Sequence, residues 1–166
     1  MKESDFPGEL MLFSGVAGAV AAMVKTLVHH AFLLLNVPML YGMITAYLTH
    51  GHLKVENFSE WIFSALADMT LGALFGIALG FWLKSSRPKY HWWIGLGYGF
   101  GLWFITLSFA NLTKIIKDTM TTPISLFAHL IAMITYGLFF VLACRFWKPL
   151  RNRIEVGDDH GSRKRG

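Results

Sequence analysis

The most regular feature of this sequence is its division into four long apolar runs separated by short polar segments. The runs cover residues 9–35, 61–83, 92–112 and 123–147. A helix of about 20 apolar residues crosses the roughly 30 Å hydrocarbon core of a bilayer, and each run is long enough to do so. We therefore predict an all-α integral membrane protein, a four-helix bundle that crosses the membrane four times.

A fifth apolar segment, residues 38–49, is too short to cross a bilayer. Its sequence is PMLYGMITAYLT, and Pro38 at its start is compatible with the first turn of a helix. We predict a short extra helix here. It either lies along the membrane interface or enters the bilayer as a re-entrant segment, and the interfacial position is favoured.

The first apolar run has an alternative interpretation, a cleaved signal peptide, because the tripeptide AGA at 17–19 resembles a cleavage site. Signal peptides carry a basic segment before the apolar run, whereas residues 1–9 contain three acidic residues and one lysine. The apolar run also continues well beyond the tripeptide. We therefore expect a retained membrane helix.

The basic residues are distributed unequally between the two sides that four crossings define. The side with both termini and the turn at 84–90 holds eleven Lys and Arg, and the other side holds three. Cytoplasmic loops carry the excess of Lys and Arg, which predicts a multi-pass plasma-membrane protein with both termini cytoplasmic. The predicted organisation is a cytoplasmic N-terminus at 1–9, a transmembrane domain at 10–147 and a basic cytoplasmic tail at 148–166.

Composition narrows the possible functions without naming one. Of the 166 residues 54% are hydrophobic, and the mean hydropathy is +0.47. The net charge of +5 does not indicate nucleic-acid binding, because the basic residues lie in loops and the tail without a recognition fold. The chain has one cysteine, Cys144, so an intramolecular disulfide is excluded.

Glycines recur at a spacing of four residues in two of the apolar runs. Gly72, Gly76 and Gly80 lie on one face of the second run, and Gly97 and Gly101 form one such pair in the third. Small residues allow membrane helices to approach closely, so we predict that these glycines serve helix packing. A second pair in the third run lies on nearly the opposite face. We therefore expect a bilayer-embedded protein that can form a homo-oligomer or join a larger membrane partner.

Four of the ionisable residues inside the predicted crossings form a candidate polar cluster. Lys25 and His29 lie on one face of the first run, Asp68 lies in the second, and His129 lies in the fourth. At a rise of about 1.5 Å per residue, all four belong to the outer half of the bundle.

Three interpretations of this cluster remain open. The first is a structural ion pair of Lys25 and Asp68 with hydrogen bonds from the histidines. The second is a polar pocket, open to the outside, that relays protons or binds a small ion or solute. In the third, Lys25 extends to the outer interface on its own.

We predict no cofactor, no metal site and no catalytic residue. A facing pair of histidines is compatible with haem ligation, but one pair without a second motif is a weak signal. The sequence lacks the HExxH helix of metalloproteases and the GxSxG turn of hydrolases.

Three features of the sequence resemble known proteins. They are Gly15, Gly18 and Lys25 in the first run, the glycine-rich second run, and the sequence IGLGYGFGLWF of the third run. The chain resembles small four-helix integral membrane proteins of unknown function from Gram-positive bacteria, over about residues 14–147. The resemblance implies a bacterial plasma membrane. It implies no activity and no catalytic residues.

From these observations we expect a non-enzymatic membrane component, an accessory or scaffold subunit whose polar cluster is structural. The alternative is a small transporter or channel in which Lys25, His29, Asp68 and His129 line the path. An enzyme would need a nucleophile or metal constellation that the sequence does not contain.

Overall fold

The computed structural model describes residues 6–37, 44, 51, 57–113 and 122–146. It contains four long helices: α1 (Phe6–Leu34), α2 (Phe58–Ser85), α3 (His91–Leu112) and α4 (Pro123–Arg145). A short 3-10 helix, Pro88–Tyr90, joins α2 to α3. The described residues contain no β-strand, so the predicted all-α class is confirmed for them.

All four helices are long and apolar enough to cross a membrane. They begin and end within a few residues of the predicted runs. α1 begins at Phe6 rather than at residue 9, α2 begins at Phe58 rather than at 61, and α4 ends at Arg145 rather than at 147.

Local signals in the sequence fix several helix ends. The Asn57 side chain accepts a hydrogen bond from the Glu60 amide and donates one to the Glu60 carboxylate, which caps the start of α2. The Thr122 hydroxyl accepts a hydrogen bond from the Ser125 amide and caps the start of α4, and Pro123 suits the first helical position. α1 ends where Asn36 adopts a left-handed conformation, with φ of 60°.

Successive helices run antiparallel, and α1 and α4 form the centre of the bundle. α1 packs mainly against α2 and α4, and α3 packs mainly against α4 with few contacts to α2. Because of this antiparallel packing, four helix termini lie at the same end of the bundle. They are the end of α1 (Leu34), the start of α2, the end of α3 and the start of α4. We call this the Leu34 end of the bundle.

Glycines set the closest helix crossings. A Cβ on Gly76 would lie 2.5 Å from the carbonyl oxygen of Ser14 and 2.6 Å from the Cα of Gly18. A Cβ on Gly99 would lie 2.5 Å from the carbonyl oxygen of Met133. Backbones therefore touch at both the α1–α2 and the α3–α4 crossings, which is how small residues associate helices in lipid.

The half of the bundle away from the Leu34 end has an apolar core. Small residues of α1 face large side chains of α2 and α4, and together these side chains fill the space between the helices. Its fully buried members include Ala21, Leu79, Leu83, Phe140 and Val141.

Two predictions fall mainly outside the described residues. The structure describes only Ile44 of the predicted short helix at 38–49, and this residue is helical and buried. The predicted tail at 148–166 lies wholly outside them. The extra helix and the tail therefore stay predictions.

Candidate functional site

The centre of the candidate site is an ion pair between α1 and α2. The Lys25 ammonium lies 2.5 Å from Oδ1 of Asp68, and the Thr26 hydroxyl donates to Oδ2 of the same carboxylate over 2.7 Å. The Lys25 and Asp68 side chains are only 4% and 8% exposed. Burial removes water from both charges, and their mutual contact compensates for part of that loss.

A second group of polar side chains lies beside the ion pair and joins α1, α3 and α4. The His29 and His129 rings stack with centroids 5.5 Å apart, and Nε2 of His29 lies 3.4 Å from Nδ1 of His129. Nε2 of His129 in turn lies 2.9 Å from the Thr106 hydroxyl oxygen. Both histidines are buried, so these contacts replace hydrogen bonds to water.

Each of the four helices contributes to this cluster, and its members lie at two depths. At about 1.5 Å per residue, His29, Thr106 and His129 lie about 8–9 Å from the Leu34 end. Lys25 and Asp68 lie about 14–15 Å from it, near the middle of the bundle. The polar groups therefore form a row that runs from near one end of the bundle to its centre.

Below the ion pair, Tyr136 of α4 donates a 2.6 Å hydrogen bond to the carbonyl oxygen of Gly72. A cavity of about 10 Å³ borders Tyr136, Gly72 and Lys25. This volume is close to the smallest that accepts one water molecule. The cavity is lined by Lys25, Gly72, Phe75, Leu102, Thr106, Met133 and Tyr136.

The structure brings together all four residues that the sequence places in the candidate cluster. Lys25 and Asp68 form one contact, and His29 and His129 form another. Sequence reasoning did not single out Thr106 or Tyr136. A tyrosine in the middle of an apolar run, rather than at an interface, is a signal for Tyr136, whereas one threonine in a helix gives no such signal.

The five glycines predicted to serve helix packing separate into two sets. Gly72, Gly76 and Gly80 face α1, where added side chains would meet Gly18, Ala22 or Ser14. Gly97 and Gly101 lie on a different side of α3, where a Cβ would have no described atom within 4 Å. A packing role for Gly97 and Gly101 therefore stays a prediction.

The donor set of this site limits its chemistry. Within the described ranges, no three His, Cys, Asp or Glu side chains are placed to hold a metal ion together. His29 and His129 bond each other through ring nitrogens instead of facing each other across an open gap. The arrangement can fix helix register, and it can exchange protons along its hydrogen bonds.

Comparisons with protein-family models, with curated proteins and with solved structures find no match to this chain.

Proposed function

We propose that the protein is a non-enzymatic component of a membrane, an accessory or scaffold subunit whose polar cluster fixes the packing of its own helices. The observation that carries this proposal is the closed geometry of the Lys25–Asp68 pair. Each carboxylate oxygen of Asp68 already has a donor at hydrogen-bonding distance, one from Lys25 and one from Thr26. The carboxylate is thus bonded as a structural group rather than presented to a ligand.

The size of the adjoining cavity supports the same proposal. A volume of about 10 Å³ beside Lys25 is enough for one water molecule and far too small for an organic solute. On the opposite side of the cluster from the Leu34 end, glycine contacts and the apolar core close the bundle.

In this proposal both termini face the cytoplasm, and the Leu34 end lies at the outer surface. The excess of Lys and Arg at the opposite end and in the segments that follow it supports this orientation. A homo-oligomer or a larger membrane partner is part of the proposal, and the mass of the purified protein in detergent tests the homo-oligomer.

A double-mutant cycle tests the structural role of the ion pair. Lys25→Met and Asp68→Leu each leave one buried charge unpaired, so each is expected to lower the free energy of unfolding by about 3–5 kcal/mol. The combined variant removes both charges and is expected to lie close to the wild type. Reversible unfolding in detergent, followed by circular dichroism, measures the three values.

Lys89→Met is the matched control for this cycle, because Lys89 is exposed and its ammonium lies over the ring of Tyr90 rather than in a buried ion pair. Its free energy of unfolding should change little. A double variant no more stable than the worse single variant would contradict the structural role of the pair.

A second candidate function is a small transporter or channel, and the row of polar groups from His29 to Asp68 favours it. Ionisable residues inside a membrane commonly mark ion pathways or proton relays. Proton and cation flux into proteoliposomes, compared between wild type and the Lys25→Met/Asp68→Leu double variant, separates the two candidates.

The double variant is preferable to Asp68→Asn alone because it is expected to fold, so lost flux cannot be attributed to unfolding. Flux in the wild type that disappears in the folded double variant would overturn the accessory function. Wild-type flux equal to that of empty liposomes would support it.

A further inference from the structure

The end of the bundle opposite the Leu34 end carries a group of exposed cations. Arg87 and Lys89 lie in the turn between α2 and α3, and Arg145 is the last residue of α4. Because successive helices are antiparallel, this turn and the end of α4 lie at the same end of the molecule. We call these three residues the basic rim.

The basic rim is not neutralised by acidic side chains. None of its members forms an ion pair within the part of the chain that the structure describes. The one described acidic residue at this end is Glu9, which lies on α1, and α1 packs against α2 and α4 rather than α3. At the Leu34 end, the described terminal turns of the helices contain no Lys or Arg. The described bundle therefore presents unpaired positive charge at one end.

Aromatic rings hold two members of the basic rim. The guanidinium carbon of Arg145 lies 4.8 Å from the centroid of the Trp92 ring, and the Lys89 ammonium lies 4.8 Å from that of Tyr90. A cation over a ring is attracted by the electrons of the ring face. Because Trp92 is the second residue of α3, its contact with Arg145 brings the end of α4 close to the turn that carries Lys89. The guanidinium keeps N–H donors for a further acceptor.

The length of α3 places the basic rim at the depth of lipid headgroups. α3 has 22 residues, which at about 1.5 Å per residue span about 33 Å, close to the roughly 30 Å hydrocarbon core of a bilayer. Its two ends therefore meet the two interfaces of a membrane. The aromatic rings at its start agree with this depth, because Tyr90 and Trp93 are exposed and such rings prefer the interface.

The surface next to the basic rim is apolar. Exposed side chains of the last turn of α2 and the first turns of α3 form it, namely Phe81, Trp82, Trp93 and Leu96. A phospholipid has the same arrangement, a phosphate joined to apolar chains. A soluble phosphate would use the cations and leave the apolar surface without a partner. Arginine and lysine both bind phosphate, arginine through paired hydrogen bonds and lysine as a point charge.

We propose that the basic rim binds the headgroup of an anionic phospholipid, with Arg145 and Lys89 at its phosphate and Arg87 adding positive charge. A lipid with a net negative charge is preferred over a zwitterionic lipid, because basic residues near a membrane surface are attracted by its net charge. In the orientation proposed above, this lipid belongs to the cytoplasmic leaflet. The inference goes beyond the accessory function, because the Lys25–Asp68 pair takes no part in it.

Native mass spectrometry of the full chain tests the site by counting the lipids that stay bound. The probe is a detergent micelle that contains equal amounts of phosphatidylglycerol and phosphatidylcholine. The wild type should retain phosphatidylglycerol in preference. Arg145→Gln should lower this preference about fivefold, and Lys89→Gln should lower it further by a similar factor, because each basic residue near an anionic surface contributes to binding.

Two variants separate a built site from the effect of net charge. Trp92→Leu keeps every charge but removes the ring under Arg145, so it should lower the preference about two- to fivefold. Asn111→Lys combined with Arg145→Gln is the matched control, because Asn111 is exposed at the Leu34 end of α3 and restores the net charge there. The preference should stay below that of the wild type in this variant. Circular dichroism checks that each variant is folded.

Three results would overturn the proposal. Equal preference in the wild type and in Arg145→Gln/Lys89→Gln would leave the cations to an acidic protein rather than to a lipid. Full recovery in the Asn111→Lys control would mean that net charge alone sets the preference. Displacement of the lipid by glycerol phosphate at constant ionic strength would indicate a site for a soluble phosphate.

The lipid site and the accessory function fail separately. The folded Lys25→Met/Asp68→Leu variant keeps the basic rim, so it should show the lipid preference of the wild type. Loss of lipid preference in that variant would contradict a site confined to the rim. The unfolding free energies of the ion-pair variants, in turn, do not depend on which lipid the rim retains.

Discussion

Adding one methyl group at Gly76 should force α1 and α2 apart. The new Cβ of Gly76→Ala would lie 2.5 Å from the Ser14 carbonyl oxygen and 2.6 Å from the Cα of Gly18. Ordinary contacts begin near 3.4 Å, so the shortfall is about 0.9 Å and falls on backbone atoms. Backbone atoms cannot turn aside as a flexible side chain can. The two helices must therefore separate by close to this distance.

The expected cost is that of overpacking a close-packed interface, about 1–3 kcal/mol of unfolding free energy. Separation by this distance would also lengthen the Lys25–Asp68 contact two turns away, which favours the upper part of that range. Gly97→Ala is the matched control, because its Cβ would have no described atom within 4 Å. It should be neutral or up to about 1 kcal/mol more stable, since alanine has the better helix propensity.

Equilibrium unfolding in detergent, followed by circular dichroism, measures both variants under the same conditions. Because each variant adds the same methyl group to a glycine in an apolar helix, the difference between them isolates the interhelical contact. Equal stability of Gly76→Ala and Gly97→Ala would refute the proposed crossing of α1 and α2. If Gly97→Ala were destabilised and Gly76→Ala were not, the close helix contact would lie at Gly97 instead of Gly76.

Two further predictions concern other parts of the fold. Asn57→Ala should lower the free energy of unfolding by about 1 kcal/mol, because the Glu60 amide loses its hydrogen-bond acceptor. Asn57→Ser should keep most of the wild-type stability in the same unfolding assay, because serine also caps helices. Cys144 is 3% exposed, so a maleimide should label it roughly tenfold or more slowly than a cysteine placed at the 78% exposed Phe146 in a Cys144→Ala background. Comparable labelling rates would contradict the buried position of Cys144.

The helices were predictable from the sequence because membrane crossing imposes a length and an apolar composition that four runs satisfy. The pairing of Lys25 with Asp68 was predictable for a related reason. A charge within hydrocarbon needs a partner, and these two residues have opposite signs at similar depths. Counting residues from each helix end was enough to place them within reach of each other.

The contacts of Thr106 and Tyr136 could not be obtained in this way. Their side chains are compatible with bonds inside their own helix, with lipid or with a neighbour, and depth alone does not choose among these. The faces of the third helix were equally ambiguous. Its glycines occur at alternate positions, and only packing determines that Gly95 and Gly99 face α4 while Gly97 and Gly101 do not.

The ion pair and the glycine ladder solve different parts of one packing problem. Glycines at 72, 76 and 80 repeat every four residues, so sliding α2 by four residues would present a similar small-residue face to Gly18. That slide moves α2 by about 6 Å along its axis. Glycine packing alone therefore distinguishes poorly between the two registers.

The Lys25–Asp68 pair removes this ambiguity because it occurs once. A displacement of about 6 Å would separate a contact of 2.5 Å and leave both charges unpaired in the bundle. Each stranded charge costs about 2.5–3.5 kcal/mol in a membrane helix, far more than a change of glycine partner. A buried ion pair that adds little net stability can thus still select one helix register, because every other register would leave its two charges unpaired in the bundle.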